Sequence, residues 1–408
     1  MAERRPIFRT LVFVSGMLGL LIYGCLPVAA QKRYAPGISD SEIKIGQTMP
    51  YSGPASAYRA IGMAERAYLA MINDRGGVNG RKINLISVDD GYSPPKTFEQ
   101  TRKLVEQDEV AFIFSSLGTP TGIVVRKYLN ERKIPQLFQA SGATFWGDPE
   151  HFPWSIGWQP NYQTEGAIYG RYLLTQRPGA KVGVIYQNDD AGRDYFAGFK
   201  VGLGTDGSQR MIGAIATYQT SDPTLDSQIV TLQVSGADVL FDNTTPKFAA
   251  QAIRKVYDLG WKPLHFLTSV ATSVTAVLEP AGFEKSQGLI TAAYLKDPND
   301  TQWANDPAYK DWLAFMQKYY PDGNLGDSFN VYGYSVAQTL VELLGQCGDG
   351  LTRENIMQQA AHLNLDLPML LPGIRVHTTP TDFFPLKQMH LQRFEGRQWV
   401  LFGDVIGG

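Results

Sequence analysis

Cysteine is almost absent. Cys25 and Cys347 are the only two in 408 residues. A leader peptide is expected over 1–30, which would leave the exported chain one thiol and no internal disulfide. A chain of this size holds together by its core, and Cys347 is expected to be a structural thiol after a helix. Excess positive charge is also lacking: the formal net charge is −2, so there is no basic field for nucleic acid. No nucleophile elbow G-x-S-x-G and no P-loop occurs. The five histidines (His151, His265, His362, His377 and His390) form no H-x-x-x-H pair, so no metal site and no cofactor are expected. The longest apolar stretch near the start, 11–24, is too short for a typical membrane span.

What is present begins with that stretch. Arg4, Arg5 and Arg9 precede it, and Val28-Ala29-Ala30 follows. This is the pattern of a secretory signal peptide, with cleavage expected near Ala30/Gln31 and a periplasmic product. Gly24-Cys25 resembles a lipoprotein cleavage site, but Tyr23 is bulky at that place. Residues 31–41 read as a disordered leader. Aromatic residues make up 12% of the chain, with 20 Tyr and 20 Phe, enough for a core and for an aromatic-lined pocket.

From residue 43 onward, short apolar runs alternate with amphipathic ones. Strands are expected at 43–48, 82–88, 110–114, 134–138, 181–186, 211–217, 239–242, 264–268 and 289–295. Helices are expected at 62–73, 94–107, 162–176, 193–203, 225–235, 247–259, 307–319, 331–344 and 353–361. A helical run from Ile123 to Leu129 joins the third and fourth strands, and a hairpin closes the chain at 394–402. The rhythm predicts an α/β protein with parallel-sheet cores and right-handed crossovers. Trp158 marks an expected crossing between domains.

The stretch 110–144 is the most informative. Two strands in succession end in small, hydroxylated loops: Ser115-Ser116-Leu117-Gly118-Thr119 and Ala140-Ser141-Gly142-Ala143-Thr144. Pro120 suits the first turn of the helix that follows. Open α/β sheets bind ligands at the carboxyl ends of their strands, and helix N-termini favour anions. These loops read as half of a small-molecule site. Asp89-Asp90 and Asp189-Asp190 are paired carboxylates after strands. They fit helix capping and turns better than general acid–base work, which leaves a secreted hydrolase as the least favoured reading.

The strings IKIGQTMPYSGPASAY, INDRGGVNGRKINLISVDDGYSP, SSLGTPTG and IPQLFQASGAT, in this order, resemble the periplasmic leucine/isoleucine/valine-binding protein family, the type I solute-binding proteins of ABC importers. The resemblance implies two Rossmann-like lobes joined by three hinge crossings: 41–158 plus 295–369, and 159–294 plus 370–408. It implies a monomer without catalytic residues that delivers a small-molecule ligand to an importer's membrane permease. By the same resemblance the first lobe binds a carboxylate through Ser116, Gly118, Thr119, Ala140, Ser141 and Gly142. Tyr58 borders the side-chain pocket, with Phe329 or Tyr332 beside it.

The second lobe departs from the family pattern. Ala191 stands where a Tyr is usual, Thr244 where an aromatic is usual, and Val270 where an acidic residue holds the ligand ammonium. A buried cation without a partner costs several kcal/mol, roughly. The expected ligand is therefore an aromatic or otherwise hydrophobic carboxylic acid. The alternatives are a branched-chain or other amino acid, or an exported sensor of the same fold. Arg193 is a further candidate partner for a ligand carboxylate.

Overall fold

The computed structural model describes residues 1–3 and 34–407. Residues 4–30 of the expected leader, its expected cleavage site and Cys25 lie outside the described residues. Two parallel-sheet cores organise the rest. The first comprises β1 (Glu42–Met49), β2 (Lys82–Asp89), β3 (Ile113–Phe114), β4 (Gln136–Gln139) and β5 (Ser155–Gly157), in the order β2-β1-β3-β4-β5. All its pairings are parallel. Helices α1 (Arg59–Asp74), α2 (Pro94–Glu106) and α3 (Thr119–Glu131) make its crossovers.

The second sheet is built from β6 (Val182–Gln187), β7 (Ile212–Tyr218), β8 (Val239–Asn243), β9 (Leu264–Leu267) and β10 (Ile290–Ala293). Its helices are α4 (Tyr162–Gln176), α5 (Asp190–Met211), α6 (Asp226–Val234), α7 (Pro246–Asp258) and the short α8 (Glu279–Ala281). The chain then returns to the first lobe through α9 (Pro307–Tyr319), α10 (Ser328–Cys347) and α11 (Arg353–Ala360), followed by the small pair β11 (Asn364–Leu365) and β12 (Val376–His377). Finally β13 (Gln388–Glu395) and β14 (Gln398–Gly407) add an antiparallel hairpin to the second sheet, giving β14-β13-β10-β9-β8-β6-β7.

The chain thus passes between the sheets three times. The second and third passes pair with each other, Leu371 N–H donating to Tyr294 O and Lys296 N–H to Met369 O, both at 2.9 Å. Trp158 is fully buried at the first pass. Its Nε1–H donates to Thr339 Oγ1 at 2.9 Å, and its ring lies 5.1 Å from Tyr332 and 6.2 Å from Tyr294. Removing a ring so placed costs about 3–5 kcal/mol.

Local chemistry explains the helix starts. Asn161 accepts from Gln163 N–H and Thr164 N–H to cap α4, and Asp189 accepts from Gly192 N–H to cap α5. Pro120 and Pro246 occupy the first turns of α3 and α7, where no intrahelical N–H bond is lost. Helices α4 and α5 touch backbone to backbone. A Cβ on Gly166 would meet Tyr195 O at 2.3 Å, and one on Gly198 would meet Gln163 O at 2.1 Å. Gly170 and Gly202 make the same approach one turn on.

The string Gly202-Leu203-Gly204-Thr205-Asp206-Gly207 has the G-x-G-x-x-G spacing of a dinucleotide fingerprint. It lies within α5, where the helix breaks at Gly204, and no strand leads into it, so the fingerprint's structural context is missing.

The segment expected to be disordered differs in part. From Tyr34 on, it packs on the first lobe. Ala35 is buried with its N–H on Leu351 O, and Arg81 donates to the Tyr34 hydroxyl at 2.6 Å beneath the ring. The cation–π contact and these bonds anchor a stretch whose composition alone is polar. Cys347 is buried, and burial pushes its thiol up to about 12, which fits a structural role.

Candidate functional site

The carboxyl ends of both sheets face one cavity of about 120 Å³. Four loops of the first lobe and its α10 supply one wall. Tyr58 precedes α1, Tyr92 follows β2, Leu117-Gly118-Thr119 follow β3, and Ala140 follows β4. Phe329 and Tyr332 come from α10. The opposite wall comes from the ends of β6, β7, β8 and β9: Gln187 and Ala191, Tyr218, Asn243-Thr244-Thr245, and Ser269-Val270. Gln159, Tyr162 and the pass at 292–297 close the hinge side.

Seven of the ten residues expected from sequence line this cavity: Tyr58, Gly118, Thr119, Ala140, Ala191, Thr244 and Val270. Ser116, Ser141 and Gly142 do not. Ser116 Oγ is buried one layer back, accepting from Thr48 N–H at 3.0 Å. Ser141 Oγ bonds Thr119 Oγ1 at 2.7 Å and accepts from Ala143 N–H, so it orients the wall from behind. Gly142 is pressed against the hinge: a Cβ there would sit 2.2 Å from Pro160 O and 2.7 Å from the Tyr162 ring.

The Gly118 N–H is spent on Ala140 O at 3.1 Å and is not a free donor. Gly118 is required for another reason. Its φ is +104°, and a Cβ would meet the Tyr92 ring at 2.5 Å. A donor left at this wall is the first-turn N–H of Thr119, which starts α3 and has no acceptor within the helix.

Tyrosines dominate the remaining surface: Tyr92, Tyr162, Tyr195, Tyr218 and Tyr294 were not foreseen. Tyr162 and Tyr195 stack at 4.2 Å, and Tyr58 lies 5.0 Å from Phe329. Burial lifts the Tyr58 and Tyr92 hydroxyls well above the ordinary phenol range and pushes Tyr162 up to about 12. All three are neutral hydrogen-bonding groups at physiological pH. A positional signal existed for several of them. Tyr218 and Asn243 are the last residues of their strands, Tyr294 directly follows one, and Tyr92 stands three beyond another.

Polar groups on the cavity wall differ in how far they are committed. Lys296 Nζ pairs with Asp306 at 2.7 Å. Asp297, another residue missed from sequence, accepts from Asn299 N–H and Nδ2–H through one oxygen, and burial pushes it up to about 6. Behind Val270, Glu165 of α4 receives four bonds: Ser269 N–H (2.7 Å), Ser269 Oγ–H (2.6 Å), Tyr169 O–H (2.7 Å) and Tyr195 O–H (3.0 Å). That network fixes the 269–271 turn to α4. Among the bonds that join the two sides directly is Ser273 Oγ–H to Asp327 Oδ1 at 2.8 Å. Likewise, Tyr58 O–H donates to Val270 O at 2.9 Å, and Thr144 N–H to Asp194 Oδ2 at 2.5 Å.

The other candidates are occupied elsewhere. Arg193 does not reach the cavity and pairs with Asp190 at 2.5 Å. Asp89 accepts from Ser52 and Lys96, Asp90 from Tyr92 N–H and Thr97, and Asp189 from Gly192 N–H. These are turn and capping bonds, and none of the four paired aspartates lines the cavity. Among the described residues no cluster of His, Cys, Asp and Glu could hold a metal ion, and no helix is long and apolar enough to cross a membrane.

Two parallel-sheet lobes with an aromatic cavity between their carboxyl ends are the architecture of a solute-binding clamp. Residues 42–398 match the periplasmic binding protein family. The chain belongs to that family. Within it, the chain is similar to the leucine/isoleucine/valine-binding proteins. It is 22% identical over 335 residues to the Leu/Ile/Val-binding protein homolog 1 of Brucella suis biovar 1, covering 78% of this chain and 82% of that one.

Solved structures share the fold. The branched chain amino acid ABC transporter from Thermus thermophilus, with bound valine, superposes with a TM-score of 0.81 at 16% identity, covering 91% of this chain and 98% of the other. The fatty acid ABC transporter substrate-binding protein from Thermomonospora curvata gives 0.78 at 22% identity, covering 92% and 95%.

Proposed function

We propose that this periplasmic binding protein captures a small hydrophobic carboxylic acid, aromatic by preference, and delivers it to the membrane permease of an ABC importer. It does so as a monomer in the periplasm, after cleavage of the leader near Ala30/Gln31. The lobes, 41–158 plus 295–369 and 159–294 plus 370–408, close around the ligand by rotation at the three passes. The observation that carries this reading is the tyrosine-walled cavity itself. Its 120 Å³ is close to the roughly 150 Å³ that accommodates benzene in a protein interior. That room suits one ring or a short branched chain better than a long acyl chain. The Thr119 N–H at the start of α3 supplies a donor and a favourable field for a carboxylate. Ala191, Thr244 and Val270 leave the opposite wall small enough to admit the ring.

Closure follows from differential affinity. A ligand that touches both walls binds the closed form better, and only that difference shifts the balance between open and closed. Calorimetry against benzoate, cinnamate, short fatty acids and leucine tests the reading. The expected result is binding of the aromatic acids with little or no binding of leucine. Tight leucine binding without the acids sinks it.

Asp297 favours a second reading. A buried carboxylate on the cavity wall is a partner for a ligand ammonium, in place of the acidic residue absent at Val270. If the ligand is an amino acid, Asp297→Asn abolishes its binding; under the carboxylic-acid reading the same substitution leaves affinity within a few-fold.

A further inference from the structure

We infer that the ligand carries a hydroxyl at the end away from its carboxylate, and that the side-chain amide of Asn243 receives it. The inference rests on the carboxylic-acid reading above and narrows it to hydroxylated acids. Asn243 is the last residue of β8, paired in the parallel ladder with Tyr186. It lines the second-lobe side of the cavity. The residue is 5% exposed. Its Nδ2 is sealed from water without a hydrogen-bond partner among the described residues.

The other polar groups of the 242–245 loop are committed, while across the ladder the Thr268 hydroxyl is likewise buried without a partner among the described residues. Asp242 bonds His265 at 3.0 Å and accepts from the Thr244 hydroxyl at 2.6 Å, and Thr245 N–H donates to the Tyr218 hydroxyl at 2.9 Å. The Tyr218 hydroxyl in turn lies 3.3 Å from Gln187 Oε1. Asn243 is the exception within a satisfied loop. A buried amide with nothing to bond is destabilising, and such groups are found where a ligand or water completes them.

A hydroxyl fits this amide better than a one-sided group does. It accepts from Nδ2–H and donates to Oδ1, so it serves either orientation of the amide. A purely apolar ring edge placed there leaves the amide unpaired and is discriminated against. Sites built to bond a substrate hydroxyl reject analogues lacking it far more strongly than apolar pockets reject an added hydroxyl.

The test uses isothermal calorimetry on the full exported chain with benzoate, 3-hydroxybenzoate and 4-hydroxybenzoate. The wild type is expected to bind one hydroxylated acid about tenfold to a hundredfold more tightly than benzoate. Asn243→Leu, close in shape, is expected to erase that preference, the affinities for benzoate and the hydroxylated acid converging. Asn243→Ala should do the same, and melting curves of both variants establish that they fold. Equal binding of all three acids by the wild type overturns the inference and points to a water on Asn243. A preference that survives in both variants overturns it as well. If none of the three acids binds, the carboxylic-acid reading itself fails, and this inference falls with it.

Discussion

The two walls of the cleft are built on different principles. In the proposed reading the first-lobe wall grips through main chain. Its hydroxyls at Ser116, Thr119 and Ser141 bond one another or the backbone, and its shape depends on Gly118 lying against Tyr92. The second-lobe wall presents side chains: small ones at Ala191, Thr244 and Val270, and the Asn243 amide, whose Nδ2 has no partner among the described residues. A main-chain wall recognises what all its ligands share, while a side-chain wall can change its choice by single substitutions.

The buried glutamates repeat the contrast. Glu165 in the second lobe has four donors, whereas Glu65 in the first has, among the described residues, only Gln47 and the nearby Ser115 hydroxyl to offset its burial. Burial pushes Glu65 up to about 8.

The largest expected effect breaks the main-chain wall. Gly118→Ala forces a Cβ into the Tyr92 ring in a backbone region that L-residues avoid. It should cost about a hundredfold in ligand affinity by calorimetry, roughly 3 kcal/mol, with a smaller loss in melting temperature. Unchanged affinity would mean that the wall is soft.

Next come the glutamates, where the same substitution should act with opposite signs. Glu165→Gln places an amide NH₂ against hydroxyl or amide donors and should destabilise by about 2 kcal/mol in urea unfolding. Glu65→Gln should stabilise at pH 9 by about 1–2 kcal/mol, because a neutral amide replaces a charge held in the core. The pH dependence follows from the raised value. Between the ordinary carboxyl range and about 8, folded Glu65 keeps a proton that the unfolded chain releases, so stability falls as pH rises through that window. The Glu65→Gln variant should lose this component of the slope. If both variants shift the same way, the contrast between the lobes is wrong.

The smallest effect concerns one bond between the walls. Tyr58→Phe removes the donor to Val270 O and should weaken ligand binding about threefold to tenfold, mainly through faster dissociation seen in stopped flow.

Legibility from sequence follows the same division. The alternation of strands and helices was readable because each element's period reflects its own burial, and α4 and α9 fall at the expected residues, 162–176 and 307–319. The donor-rich loops at 115–121 and 140–144 were readable because small hydroxylated residues at strand ends are a local signal. The tyrosine lining was not, because Tyr92, Tyr162, Tyr195, Tyr218 and Tyr294 come from five separate segments and look like core residues in each. Asp297 and Asn243 were hidden for a related reason. What singles them out is a partner they lack or an oxygen they leave open, and that depends on every neighbour. Ser116 shows the reverse error: the right residue type at a strand end, turned to bond Thr48.

The glycine seam between α4 and α5 has a mechanical meaning. The first pass runs straight into α4, and the α5 start carries Ala191 to the cleft and Asp194 to Thr144. Since main chain rests on main chain at Gly166, Gly170, Gly198 and Gly202, there is no layer of side chains between the helices to yield. In the proposed closure the pair would act as a stiff lever with its fulcrum at Asn161 and its jaw at Ala191, passing a few degrees of turn at the hinge on to the cleft with little loss inside the lobe.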